Sequence, residues 1–115
     1  MSAGTYNITL EQGATLTLTV LVEDDSVIRN LTGYTARMKI RATKDSDTVL
    51  LDLTMGSGLT IPTPANGEIL ISLTAAQTAA YTTVNAVYDL ELVDGSGDVE
   101  RLLQGTVTLS KEVTR

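Results

Sequence analysis

The chain has 115 residues, 43% of them hydrophobic and 19% charged, with a net charge of −6. That length suits one domain with a real core, and that balance excludes a disordered chain. Cysteine and histidine are both absent, which excludes disulfides, thiol chemistry, Ser–His and Cys–His nucleophile pairs and ordinary zinc sites.

The acidic balance argues against nucleic-acid binding, because that affinity rests on Lys and Arg neutralising phosphates. Phe and Trp are absent and four Tyr supply all the aromatics. The core must therefore be built from Leu, Val, Ile and Met. Thr and Val recur along the chain, and β-branched side chains favour the extended pleat. The first thirteen residues lack a basic segment followed by an apolar one, so no secretory signal is expected there. No apolar run approaches the length of a membrane-spanning helix.

In chain order, Tyr6, Ile8 and Leu10 alternate with polar residues and predict a first strand. Gln12-Gly13 predicts a turn or a bulge. Leu16, Leu18, Val20 and Val22 alternate with Thr15, Thr17, Thr19 and Leu21, and Glu23-Asp24-Asp25-Ser26 ends that strand. Asn30-Leu31-Thr32-Gly33 predicts another turn. Tyr34, Ala36, Met38 and Ile40 then point one way, with Thr35, Arg37, Lys39 and Arg41 pointing the other. Such alternation puts one face on a core and one in water. Lys44-Asp45-Ser46-Asp47 is a charged loop. Val49, Leu51 and Leu53 predict a strand, Leu59 and Ile61 a short extended piece, and Ile69, Ile71 and Leu73 another strand.

Thr74-Ala75-Ala76-Gln77 matches a capping box, and the alanine pairs after it predict one or two helical turns. Ala86, Tyr88, Leu90 and Leu92 alternate with Val87, Asp89, Glu91 and Val93. Asp94-Gly95-Ser96-Gly97-Asp98 reads as a hairpin loop. The last strand runs from about Val99 to Leu109, with Val107 and Leu109 inward and Gly105 as the expected bulge.

Seven or eight short strands at close intervals predict an all-β sandwich or small barrel, with Leu18, Val20, Met38, Ile40, Leu51, Ile71, Leu90 and Val107 in its core. The short helix lies where immunoglobulin-like folds cross between sheets. That favours an immunoglobulin-like antiparallel β-sandwich, a single domain over residues 1–115. Tyr34 and Tyr88 are expected to face inward. Tyr88 is either the tyrosine of a corner motif, bonding back upstream, or a core tyrosine with a wet hydroxyl.

No catalytic, cofactor-binding or metal-binding residue is assigned, and no cofactor is expected. Asp89 and Glu91 lie on the solvent face of a strand, with no nucleophile–base pair nearby, so no enzyme is expected. Asp94, Ser96 and Asp98 have the spacing of the first ligands of a calcium loop. However, Val99 stands where that motif needs glycine and the distal Glu is missing, so a hairpin turn is preferred. Arg37, Lys39 and Arg41 form a basic stripe. It is either a docking patch for an anionic surface or one half of a charge ladder with Asp89 and Glu91; the ladder is preferred. The face of Thr15, Thr17 and Thr19 is either solvated or a contact face. The end segments Ser2-Ala3-Gly4 and Thr114-Arg115 offer nothing to pack and are expected to be loose until they dock.

Three groups of residues carry a family resemblance: Glu11 to Thr15, Leu31 to Arg41, and Tyr88 to Leu92. The closing Arg101 to Val107 and Glu112 to Arg115 strengthen it. Together they resemble small virion structural proteins of tailed bacteriophages. The chain is similar to the immunoglobulin-like N-terminal module of baseplate upper proteins. The resemblance implies a structural part of the virion, assembled in the bacterial host cytoplasm. Its partners would be other virion proteins (tail, baseplate, fibre or capsid subunits), with no nucleic acid, membrane or small-molecule substrate. The first expectation is a tail or baseplate-associated adaptor joining a fibre or spike to the particle. The chain stops at Arg115, where the baseplate family continues into a helical or fibre-like extension. A capsid decoration protein is therefore the alternative. A carbohydrate-binding module ranks third, since sugar sites stack rings on exposed aromatics and this chain has few.

Overall fold

The computed structural model describes residues 4–113. Of the expected loose ends, residues 2–3 and 114–115 lie outside the described residues, while Gly4 is not loose but pairs with Leu103 at the sheet edge. Along the chain run β1 (Gly4–Thr5), β2 (Ile8–Glu11), β3 (Leu16–Leu21), β4 (Glu23–Asp24), β5 (Val27–Ile28), β6 (Thr35–Arg41), β7 (Leu51–Met55), β8 (Gly58–Thr60) and β9 (Glu68–Leu73). They are followed by α1 (Ala75–Ala80), β10 (Asn85–Val93) and β11 (Val99–Ser110). Eight of these strands have three residues or more; the others are two-residue pieces.

The strongest alternation in the sequence makes the centre of the first sheet. β6 pairs antiparallel with β10 from Thr35↔Val93 to Arg41↔Val87, so Ala36, Met38 and Ile40 meet Leu92, Leu90 and Tyr88 on one face. All six are buried. β11 covers the other side of β10, and β7 extends the sheet beyond β6. β1 and β2 run parallel to β11 along its outer edge. The second sheet is β3-β9-β8, antiparallel throughout. β7 joins the two: Leu51 to Leu53 pair with β6, while Thr54 and Met55 pair with β8.

This is an immunoglobulin-like β-sandwich. β11, β10, β6 and β7 occupy the places of strands G, F, C and C′, and β3, β9 and β8 those of B, E and D. It is antiparallel except at the parallel N-terminal edge and the two-residue contact of β7 with β8. Two residues after Tyr88, where antibody domains place the second cysteine of their inter-sheet disulfide, stands the fully buried Leu90. Close-packed aliphatics from both sheets replace the disulfide. Ile69, Ile71 and Leu73 of β9 lie in one hydrophobic cluster with Met38, Leu53 and Leu90.

Of the expected core, Met38, Ile40, Ile71, Leu90 and Val107 are buried, whereas Leu18, Val20 and Leu51 are only half-buried. The inward parity of β3 is as expected. Its half-burial has a topological cause: β3 is the edge of its sheet, paired with β9 alone. Tyr34 is likewise half-buried, and Tyr6, between β1 and β2, is 47% exposed.

The capping box at Thr74 forms as read. The Thr74 hydroxyl accepts from the Gln77 amide at 3.1 Å, and the Gln77 side chain accepts from the Thr74 amide at 2.9 Å. Thr78, buried inside α1, donates its hydroxyl to the Ala14 carbonyl at 2.8 Å and accepts from the Gly13 amide at 3.1 Å. These bonds tie the Gln12-Gly13 turn to the helix.

The bulge in β11 falls at Leu102 rather than Gly105. Leu90 pairs with Leu103 but Glu91 pairs with Arg101, which leaves Leu102 as the extra residue. Gly105 pairs regularly with Tyr88. Glycine is needed there for a different reason: a Cβ would collide with the Tyr6 carbonyl, which crosses over it.

Candidate interaction surfaces

Three surfaces gather charged or apolar side chains outside the core. The first is the outer face of the first sheet, where β6 sets Arg37 opposite Glu91 and Lys39 opposite Asp89. The Arg37 guanidinium meets Glu91 at 2.7 Å, so that rung of the expected ladder forms. The second rung does not close as read. Asp89 lies 3.5 Å from Arg101 of β11 instead, and Lys39 makes no ion pair among the described residues. Beside it, Arg41 donates to the Ser46 carbonyl at 2.9 Å and holds the charged loop against the strand. Lys39, Arg41, Lys44 and Arg101 thus rim a shallow depression of about 170 Å³ with Val87 in its wall and Asp89 as its one carboxylate.

The second surface is the end of the sandwich where β11 begins. The Asp94 carboxylate accepts from the amides of Ser96 at 2.8 Å and Asp98 at 3.0 Å. It closes an Asx-type hairpin turn, the reading preferred over a calcium loop. Next to it stands a feature absent from the sequence reading. The run Glu23-Asp24-Asp25-Ser26, expected simply to end a strand, turns back as the β4–β5 hairpin. Asp25 and Ser26 both have positive φ, 50° and 68°. That is the pattern of a type I′ turn, usually built from Asn-Gly or Asp-Gly. Serine is unusual at its second position, so the usual sequence signal is missing.

Arg29 fixes the base of this hairpin. Its side chain is 16% exposed and bridges Asp24 at 2.7 Å and Glu100 of β11 at 2.8 Å. The Asp24 contact is two-pronged, with Nε also 2.8 Å from the second carboxylate oxygen. Hydrogen bonding to Asp24 first, and to Glu100 second, holds the Arg29 guanidinium charged far above the ordinary arginine range. The same bond lowers the Asp24 carboxyl below its usual value. Main-chain bonds from Val22 to Gly67 at 2.7 Å and from Arg29 to Val22 at 3.0 Å complete the anchor. A side chain at Gly67 would strike the Ile28 methyl and two carbonyls there. Beyond this base the hairpin presents Val27, 68% exposed, with Ile28, 49% exposed.

The third surface is the open flank between the edges β1 and β3. Tyr6, Leu18, Val20 and Leu103 line an apolar groove there of about 300 Å³. The faces of Thr15, Thr17 and Thr19 are exposed on the outer side of β3.

Within the protein, two tyrosines stand out. Tyr88 is buried and donates its hydroxyl to the Tyr6 carbonyl at 2.5 Å. The bond does run upstream, but across the sheet to the N-terminal edge rather than to a nearby corner. Burial, and then the neighbouring Tyr6, push its hydroxyl pKa up to about 12. Tyr81, at the end of α1, is buried with no hydrogen-bond partner for its hydroxyl among the described residues. Burial raises its pKa as well.

No protein-family model matches the chain, and no curated protein matches it. Solved structures do match. One is the extracellular domain of a voltage-gated sodium channel beta4 subunit, described as forming parallel homodimers that explain its role in cell-cell adhesion. It is 11% identical, with 98% of this chain and 97% of that chain covered, at a TM-score of 0.46.

Proposed function

We propose that this chain is a non-enzymatic structural protein of a tailed phage virion, an adaptor that joins a fibre or spike to the tail or baseplate by protein–protein docking. The observation that carries the docking half of this reading is the β4–β5 hairpin. A small element with exposed Val27 and Ile28 is held on a fixed base by Arg29, Asp24 and Glu100. Rigid presentation of apolar side chains lowers the ordering cost of association. The open groove along β3, an unpaired sheet edge, offers a further contact of the strand-addition kind. The virion half rests on the resemblance of the strand and turn motifs to phage structural proteins.

The experiment is a quantified gel of purified particles from the phage that encodes the chain. A copy number following the low rotational symmetry of a tail or baseplate is expected. A copy number matching the major capsid subunits would replace the adaptor with a capsid decoration protein. Absence from particles would overturn both.

A further inference from the structure

We propose that copies of this chain bind one another head to tail, the β4–β5 hairpin of one copy seating in the basic depression on the outer face of the next. The inference goes beyond the virion reading and does not depend on it, though it uses the same hairpin: the copy at the end of a stack keeps its hairpin for a different protein. Its first support is charge. The chain carries 8 basic residues against 14 acidic ones, yet Lys39, Arg41, Lys44 and Arg101, half of the basic set, gather around one depression. Lys39, Arg41 and Lys44 reach no carboxylate within ion-pair distance among the described residues. The hairpin, in turn, displays Glu23 and Asp25 on its exposed surface. An acidic finger and a basic socket therefore sit on one chain.

The second support is shape and polarity. The hairpin narrows to the two-residue turn Asp25-Ser26, followed at once by exposed Val27. The depression has a cationic rim and the half-buried Val87 in its wall. Acid would meet rim and valine would meet valine. The finger is preorganised, because the Arg29 bridges lock its base to β11 and both turn residues already hold positive φ. The two surfaces share no residue, so a pair joined by one finger and one socket leaves a free finger and a free socket, and the contact propagates as a ring or a stack.

Sedimentation of the full chain tests this. Association that grows with concentration at low salt and weakens at high salt is expected, since exposed charges are screened over roughly 10 Å at ~0.1 M salt. Two variants separate the halves of the contact. Asp25→Asn with Val27→Ser blunts the finger while keeping a residue type that tolerates positive φ. Lys39→Gln with Lys44→Gln blunts the socket without touching any ion pair described above. Each should weaken self-association about tenfold or more. Mixed together, the two variants should form a one-to-one dimer that does not grow, since each retains one intact half. Circular dichroism matching wild type shows that both have folded. A wild-type chain that stays monomeric at low salt and high concentration overturns the proposal. Variants that associate as well as wild type overturn it equally.

Discussion

The hydroxyl of Tyr88 reaches the main-chain oxygen of Tyr6 at 2.5 Å, joining the centre of the first sheet to its N-terminal edge. The same stretch of Tyr6 also donates its amide to Gln104 at 2.9 Å and crosses directly over Gly105. One side chain in β10 thus pins the link between β1 and β2, which run along the outer edge of β11.

Replacing Tyr88 with Phe should remove that tie while keeping the ring packed. The expected loss is ~1 kcal/mol, the usual net worth of an intramolecular hydrogen bond. Denaturant titration measures it. Amide exchange at Tyr6 should speed up more than exchange at Leu90, and equal acceleration would show that the bond does not hold the edge.

The same hydroxyl makes stability depend on alkaline pH. Tyrosine ionises near 10 in the unfolded chain, whereas folded Tyr88 is pushed up to about 12. Between these values the unfolded state has lost a proton that the folded state keeps, so stability falls as pH rises. The contribution is complete below about pH 10. Unfolding curves at about pH 9 and about pH 11 should differ less for Tyr88→Phe than for wild type. Tyr81, shifted in the same direction, supplies part of the slope that remains. An unchanged slope in the variant would remove Tyr88 as its source.

Tyr81→Phe should behave in the opposite way to Tyr88→Phe at neutral pH. Its hydroxyl is buried without a partner among the described residues, so deleting it removes a desolvation cost and breaks no bond. Stability should stay level or rise by up to ~1 kcal/mol. A clear loss of stability instead would mean the hydroxyl is satisfied by water in solution.

Leu90→Ala should cost ~2–5 kcal/mol, the range for a fully buried leucine. Leu18→Ala should cost clearly less, because Leu18 is only half-buried on the edge strand β3. Thermal or urea unfolding of the pair distinguishes centre from edge. Equal losses would mean that β3 is covered in solution by something the isolated fold does not supply.

The sequence was most legible where one strand carries one clear pattern. β6 and β10 alternate without interruption because each lies mid-sheet with a wet outer face, and the capping box at Thr74 is a purely local signal. What escaped depends on neighbours. That Leu18 and Val20 sit on an edge cannot be seen from their alternation, since parity says which way a side chain points and not what covers it. Leu102-Leu103 offers two equivalent apolar residues for one inward place, so the bulge was expected at the nearby glycine instead. The β4–β5 hairpin lacked a glycine at its turn. Its one readable sign was the pair Val27-Ile28 placed two residues after Glu23-Asp24. Of the interaction surfaces, the basic stripe on β6 was visible. The contributions of Lys44 and Arg101 needed the loop and β11 to be brought alongside.

The parallel pairing of β2 with β11 has a mechanical consequence. Ile8 to Glu11 lie beside Val107 to Ser110 in the same direction, so the two terminal strands are bonded side by side while the chain leaves them at opposite ends. Tension applied between the N-terminal segment and the residues after Ser110 loads these bonds lengthwise, all together, instead of peeling them one at a time. Resistance to such a pull is set by the unfolding rate rather than by equilibrium stability. A domain strung in series between two larger bodies would bear load through this one ladder, with Tyr88 as its cross-pin.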